Sequence, residues 1–358
     1  MQIPFFDLTR QNQILEKDFE DVFKKFLERG KAILADEVLT FEKNFAGYTS
    51  SKYCLSCANA TDALEMALSA MKIGHGDEVI VPAFGWVSVV SAVLSVGAKP
   101  VFVDVMHDGN MDPQLIEQKI TQRTKAVLII HLYGHPREVR EIRTLCKGRN
   151  IRLIEDCAQA HGARVGGTHV GNFGDVGVFS FYPTKNLGAM GDAGAIVTND
   201  EEIYLQILKM RDYGRNDKGA FILPGRNSRM DELQAAILNV KLPLLDDWIA
   251  RRRSIASQFN NVLGSYIKED ESVWYKYVLT TEHRSAVINQ LKKAGIETGI
   301  YYPFQLDQLP FYQTGKSPMV IAQKLSQTTL SLPLFPELTN EEISYICEEL
   351  KKLELRNL

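Results

Sequence analysis

Cysteine is scarce in this chain, with five residues among 358, at positions 54, 57, 146, 157 and 347. An odd, scattered set argues for reduced thiols and against a disulfide framework. Cys54 and Cys57 form a C-x-x-C, but neither a second pair nor a His pair follows at the spacing of a structural zinc site, so no metal is expected. Cys54-Leu-Ser-Cys57 reads as a short strand, for which buried packing is expected in place of redox chemistry. Charge of one sign is also missing: 41 Lys and Arg face 44 Asp and Glu, leaving a net charge of -3. No basic field is present to gather nucleic acid or an anionic membrane. No apolar run approaches the ~20 residues of a membrane span, and there is no opening apolar stretch with a charged start and a small-residue cleavage site. A cytoplasmic protein is expected. Repeats and low-complexity tracts are absent, and no strand leads into G-x-G-x-x-G at a helix start, which argues against a nicotinamide-binding domain.

What is present is a chain long enough for two domains. The opening Ile3-Pro4-Phe5-Phe6-Asp7-Leu8 reads as an extended arm, followed by a helix from about Gln11 to Gly30 with Ile14, Leu15, Phe19, Val22, Phe23 and Phe26 on one stripe. Another amphipathic helix begins in Leu39 to Tyr48. From Lys52 onward short apolar runs alternate with helical segments: Tyr53 to Cys57, Glu78 to Val81, Val101 to Asp104, Ala126 to Ile130 and Arg152 to Glu155. Continuous apolar strands with helical crossovers predict an α/β fold, a mostly parallel sheet covered on both faces. A long helix is expected from about Met230 to Ile249, kinked at Pro243. Beyond Asp246 come a strand Val273 to Thr280, a helix Ala286 to Ala294, a strand Thr298 to Tyr301 and a closing helix Asn340 to Leu353. The pattern divides the chain into a large domain, 1–245, and a smaller C-terminal α/β domain, 246–358.

The chain is organised around Gly174 to Asn199, which reads as strand, loop, strand with one lysine, Lys185, in the Pro- and Gly-rich break. Asp156 closes the buried pattern Ile151-Arg-Leu-Ile-Glu-Asp, and ligands of parallel sheets bind beyond such strand ends. A carboxylate there, a hydroxyl at Ser180 and a lysine five residues later are the parts that hold pyridoxal phosphate: the amine for the aldehyde, the carboxylate for the ring nitrogen, the hydroxyl for a phosphate oxygen. A phosphate also calls for free N–H groups at a helix start, which Asn59-Ala60-Thr61-Asp62 offers. Taken singly each residue has a plainer reading, Lys185 as a solvated side chain and Asp156 or Thr61 as a helix cap.

The blocks Glu155-Asp-Cys-Ala-Gln-Ala-His-Gly-Ala163 and Phe179-Ser-Phe-Tyr-Pro-Thr-Lys-Asn-Leu-Gly188 resemble the DegT/DnrJ/EryC1/StrS family of sugar aminotransferases, fold-type-I pyridoxal-phosphate enzymes. The resemblance implies a Schiff base on Lys185, Asp156 at the ring nitrogen, Gln159 by the ring's phenolic oxygen, and Trp86 over the ring face. It places the phosphate on Ala60, Thr61 and Ser180, with Ala60 where the family commonly has glycine. Gly225-Arg-Asn227-Ser-Arg-Met resembles the block whose asparagine reaches the neighbouring subunit's phosphate, implying a homodimer with shared active sites. Tyr301 stands where many relatives have histidine. The implied reaction moves an amino group from L-glutamate to a keto group of a nucleotide-linked sugar. Rival readings are dehydration of such a sugar, a fold-type-I enzyme acting on amino acids alone, and a non-catalytic cofactor-binding regulator. Dehydratases of this kind carry histidine in place of the lysine, and Lys185 is present.

Overall fold

The computed structural model describes residues 1–264, 272–312 and 319–353. The chain opens with an arm in which Ile3 bridges Ile296. The helix expected from Gln11 to Gly30 is in fact two, α1 (Leu8–Ile14) and α2 (Glu16–Arg29), parted at Leu15 with φ −102 and ψ 12. Asp7 caps the first by accepting the Thr9 N–H at 2.9 Å, so helix begins ahead of the apolar stripe. α2 stops on Gly30 at φ 62, where glycine carries no Cβ penalty. α3 (Asp36–Thr49) starts one turn before Leu39 and buries Phe41 and Phe45.

Strands and helices then alternate as the apolar runs predict: β1 (Tyr53–Cys57), α4 (Ala60–Ala70), β2 (Glu78–Pro82), α5 (Ser88–Ser95), β3 (Lys99–Val103), α6 (Pro113–Lys119), β4 (Thr124–Ile130), α7 (Val139–Gly148) and β5 (Arg152–Asp156). A small hairpin, β6 (Arg164–Val165) with β7 (Thr168–His169), precedes β8 (Val176–Ser180) and β9 (Gly194–Thr198). Next come α8 (Glu201–Met210), α9 (Glu232–Lys241) and α10 (Leu245–Leu263). The helix expected from Met230 to Ile249 is thus interrupted by a 3-10 turn, Leu242–Leu244, around Pro243, which has no N–H to continue the ladder.

Seven strands form one sheet in the order β1-β9-β8-β5-β4-β2-β3. β9 runs against both its neighbours, and the other pairs are parallel. Both faces are buried, which is why the strands read as unbroken apolar runs. Along β4, Ala126 and Leu128 pack with Leu64 of α4 and Val90 of α5, while Val127 and Ile129 pack with Ile116 of α6 and Ile142 of α7. Nearer β1, Phe41 and Phe45 of α3 pack with Leu238 of α9 against Phe179 and Val197.

α10 carries the chain from this layer, where Leu245 and Ile249 pack, to a further core holding Ile255 and Phe259. That core is built from β10 (Tyr277–Thr280), α11 (Arg284–Lys293), β11 (Thr329–Leu332) and α13 (Asn340–Lys351); α12 (Val320–Thr328) leans back on the large core through Ala322 and Leu325. The strand expected from Val273 pairs with β11 only from Tyr277 onward. Its first half turns to the segment after β4, where Val273 N–H donates to the Gly134 carbonyl at 3.0 Å and Tyr275 N–H to the Tyr133 carbonyl at 2.9 Å. The strand expected at Thr298 to Tyr301 reduces to one bridge, Gly299 with Ser331. α13 begins on a capping box between Thr339 and Glu342, as its first-turn acids suggest.

Candidate active site

The parallel strands end on one edge of the sheet, and the residues singled out from sequence collect there. Cys57, Gly194 and Ser180 share one row across β1, β9 and β8, and Asp156 pairs with Val178 on one side and Ile130 on the other. α4 starts on the same edge, just past Cys57. A Cβ on Gly194 would meet the Asn59 carbonyl carbon at 2.5 Å and the Ala60 nitrogen at 2.8 Å, so β9 presses directly on the first turn of α4. Ser180, the register partner of Gly194, therefore lies beside that turn. The Asn59 side chain accepts from Asp62 N–H at 2.8 Å and its carbonyl from Ala63 N–H at 3.2 Å. The preceding N–H groups, of Ala60 and Thr61, have no acceptor within the helix and favour an anion. Thr61 donates its hydroxyl to Ser88 at the start of α5, at 3.0 Å.

Lys185 sits between β8 and β9 in a loop held at several points. Its N–H donates to the Tyr182 carbonyl at 2.8 Å, and Ala189 and Phe181 N–H groups close the loop at 2.8 Å each. Asn186 is buried and donates to the Val273 carbonyl at 2.9 Å, while the Lys241 amine reaches the Gly188 carbonyl at 2.8 Å. Asp156 is buried and accepts the Ala158 N–H at 2.9 Å. Burial pushes its carboxyl above the ordinary value, against the Ala158 N–H and the charges of Lys185 and His131, which pull it down. A carboxylate so placed gains from a cationic hydrogen-bond donor. The next residue on the strand, Glu155, faces away as a brace. Its oxygens take the N–H groups of Gly171, Phe173 and Gly174 at 2.9, 2.8 and 2.6 Å, and His131 Nε2 lies 2.9 Å away. His131, Glu155 and Cys157 are close enough to hold a metal, but those donors already fill the carboxylate.

Gln159 is buried with both ends of its amide engaged: Oε1 accepts the Tyr133 N–H at 2.8 Å and Nε2 donates to the Tyr302 hydroxyl at 3.1 Å. One amide hydrogen is left over. Trp86, 49% exposed, lies 5.5 Å from the Tyr302 ring centre at 41° and so joins the same group. Asn227 is exposed; its neighbour Ser228 is buried and accepts the Ala58 N–H at 3.2 Å. Sequence reasoning missed Tyr133, Tyr275, which sits in an expected strand, Tyr302, which adjoins the singled-out Tyr301, and Gly194, which reads as a turn residue.

One edge thus offers an amine, a buried carboxylate, a hydroxyl and unpaired N–H groups at a helix start, which together fit the aldehyde, ring nitrogen and phosphate of pyridoxal phosphate. This is the fold and cluster of a pyridoxal-phosphate-dependent aminotransferase. The family model described as the DegT/DnrJ/EryC1/StrS aminotransferase family matches residues 13–351. The chain is 40% identical over 365 residues to the erythromycin biosynthesis sensory transduction protein EryC1 of Saccharopolyspora erythraea, covering 98% of this chain and 99% of that one. It is also 40% identical over 359 residues to a dTDP-3-amino-3,6-dideoxy-alpha-D-galactopyranose transaminase of Aneurinibacillus thermoaerophilus, covering 98% and 99%. The crystal structure of S. venezuelae DesV in complex with a ketimine intermediate superposes with a TM-score of 0.95 at 35% identity, covering 98% of both chains. The chain belongs to the DegT/DnrJ/EryC1/StrS aminotransferase family.

Proposed function

We propose that this aminotransferase acts on a keto group of a nucleotide-linked sugar, takes its nitrogen from L-glutamate, and works in the cytoplasm as a homodimer with shared active sites. The sugar follows the transaminase relative described above. The observation that supports the reading is the arrangement of Asp156 and Ser180 at one strand edge beside the first turn of α4, with the Lys185 charge acting on the Asp156 carboxyl. Among the described residues no helix is long and apolar enough to cross a membrane.

When bound, pyridoxal phosphate supplies an aldehyde for the donor's nitrogen and a protonated ring that takes up charge from the reacting carbon. Lys185 holds the aldehyde and, once released, carries a proton on Nζ to and from the reacting carbon. Asp156 keeps the ring nitrogen protonated, and the spare amide hydrogen of Gln159 serves the phenolic oxygen. Ser180 Oγ and the N–H groups of Ala60 and Thr61 hold the phosphate, joined by Asn227 of the other subunit, and Trp86 covers the ring face. The division into 1–245 and 246–358 sets the sheet edge on the larger part and leaves the smaller to help enclose the substrate.

Purified protein is expected to show visible absorbance from bound coenzyme that Lys185→Ala removes; an unchanged spectrum would sink the assignment. With glutamate, turnover is expected on a dTDP-, UDP- or GDP-linked keto sugar, and turnover confined to pairs of amino and oxo acids would refute the sugar reading. Mixing a Lys185 variant with an Asn227 variant should restore part of the activity through hybrid dimers, and no recovery would count against shared sites.

A further inference from the structure

Lys185 is partly covered by an aromatic ring. Its Nζ lies 4.6 Å from the centre of the Tyr275 ring, and the Tyr275 hydroxyl is 3.4 Å from that of Thr184. The same ring carries a second amine: Lys276 Nζ is 4.7 Å from its centre and also lies 4.5 Å from the ring of Phe5, 4.9 Å from Tyr301 and 5.8 Å from Phe6. Tyr275 and Lys276 are only 5% and 4% exposed. Arg252, also buried, approaches from α10 and donates to the Leu334 carbonyl at 2.8 Å and the Trp274 carbonyl at 3.4 Å. The charges acting on Lys276 come from Tyr275, Arg252 and Lys185, of which Tyr275 alone can be an anion. A phenol set among three cations in a dry pocket is placed to give up its proton.

We propose that Tyr275 is the proton partner of Lys185: its phenolate oxygen takes a proton from the Lys185 ammonium and later returns it, with Lys276 and Arg252 stabilising the phenolate. In the forward direction one N–H bond of Lys185 breaks, its electron pair stays on Nζ as the nucleophilic lone pair, and one O–H bond forms on Tyr275. The return step reverses both, and no other reactant is consumed. The proposal rests on the role given to Lys185 above and makes Tyr275 a positioning residue for that amine's protonation.

The electrostatics agree. Burial pushes the Tyr275 hydroxyl up, but the charges of Lys185 and Lys276 outweigh it and bring it down to about 8. Burial brings Lys276 down to about 8 as well, opposed by Tyr275. The other groups facing this cluster are Asp156 from the end of β5, whose carboxyl the Lys185 charge pulls down, Glu337 beside Arg252, and the phenols of Tyr301 and Tyr302, which burial first and Tyr275 next push up. Phenolate therefore forms as pH rises through about 8, and loss of the Lys276 charge moves that step upward.

The test starts with coenzyme-free protein and the ultraviolet absorbance of tyrosinate during a pH titration. One tyrosine is expected to ionise near pH 8, ahead of the rest; Tyr275→Phe should delete that step and Lys276→Met should raise it by roughly one unit or more. Absence of an early step in the unaltered protein, or its survival in Tyr275→Phe, overturns the proposal. In the holoenzyme, Tyr275→Phe should keep the visible absorbance yet lower kcat roughly ten- to hundredfold and flatten the alkaline side of its pH profile. An unchanged profile overturns it too. These outcomes are separate from the Lys185→Ala spectrum, which fails only if the coenzyme attachment is misassigned.

Discussion

The floor of the site, from His131 to Gly194, is built on strand ladders, whereas its wall, from Ser272 to Phe304, hangs on a few main-chain bonds and is closed by ring contacts. In the floor, strand ladders set Asp156 and Ser180 in register, Gly194 touches the backbone of Asn59 and Ala60, and Glu155 ties three N–H groups of the approach to β8. In the wall, Tyr275 is tied by its N–H to the Tyr133 carbonyl, and Tyr301 and Tyr302 are placed by ring contacts with each other, with Trp86 and with Phe5 of the arm. Ladders and close approaches admit one geometry, while ring contacts are individually weak and survive substitution. On the function proposed above, the floor suits the part that holds the coenzyme, and the wall, Tyr275 apart, suits the part that meets the substrate.

The comparison breaks most sharply at Asp156. Asn in its place keeps the shape and can still accept the Ala158 N–H, but it removes the charge proposed to face the ring nitrogen. A lost electrostatic partner of this kind lowers kcat on the order of 10²–10³-fold. Stability should move the other way. Because burial raises the Asp156 carboxyl in the folded chain, the folded state holds that proton more tightly than the unfolded chain. Its stabilising contribution is full below the unfolded value and is lost as pH rises through the folded one. At neutral pH the ionised, buried carboxylate is a cost that Asn removes. Coenzyme-free Asp156→Asn is expected to melt no lower than the unaltered protein at neutral pH, with the advantage shrinking in acid. A lower Tm together with unchanged kcat would show that Asp156 serves the fold and not the coenzyme.

The same division explains what could be seen in the sequence. The places of Asp156, Ser180 and Thr61 at element ends are legible because a strand end announces itself twice, by the apolar run before it and by the small or polar residues after it, and Lys185 stands in the break between two such runs. The sheet was legible because both faces are buried, so its strands stand out as runs and not as alternations. Tyr275 was not legible: Val273 to Thr280 has the composition of a strand, and only the bonds to Tyr133 and Gly134 show that its first half leaves the ladder to meet Lys185. The arm reads as extended from its sequence, but nothing local tells that Phe5 closes over Lys276. The split of the first helix at Leu15 was hidden by a continuous apolar stripe, which records the face a helix buries and not where it breaks.

Trp86 tests the wall from the mild end. Half of it is exposed, and its recorded ring contact is with Tyr302, whose hydroxyl is held by Gln159. Trp86→Ala loses a ring pair worth about 0.5–1.5 kcal/mol and little buried area. If the wall serves substrate more than chemistry, the loss should appear as a rise in KM for the sugar of roughly threefold to tenfold, equivalent to that range. The kcat should fall far less than in Asp156→Asn. A fall in kcat comparable to that of Asp156→Asn, with KM unchanged, would show instead that Trp86 acts mainly through the coenzyme ring it is proposed to cover.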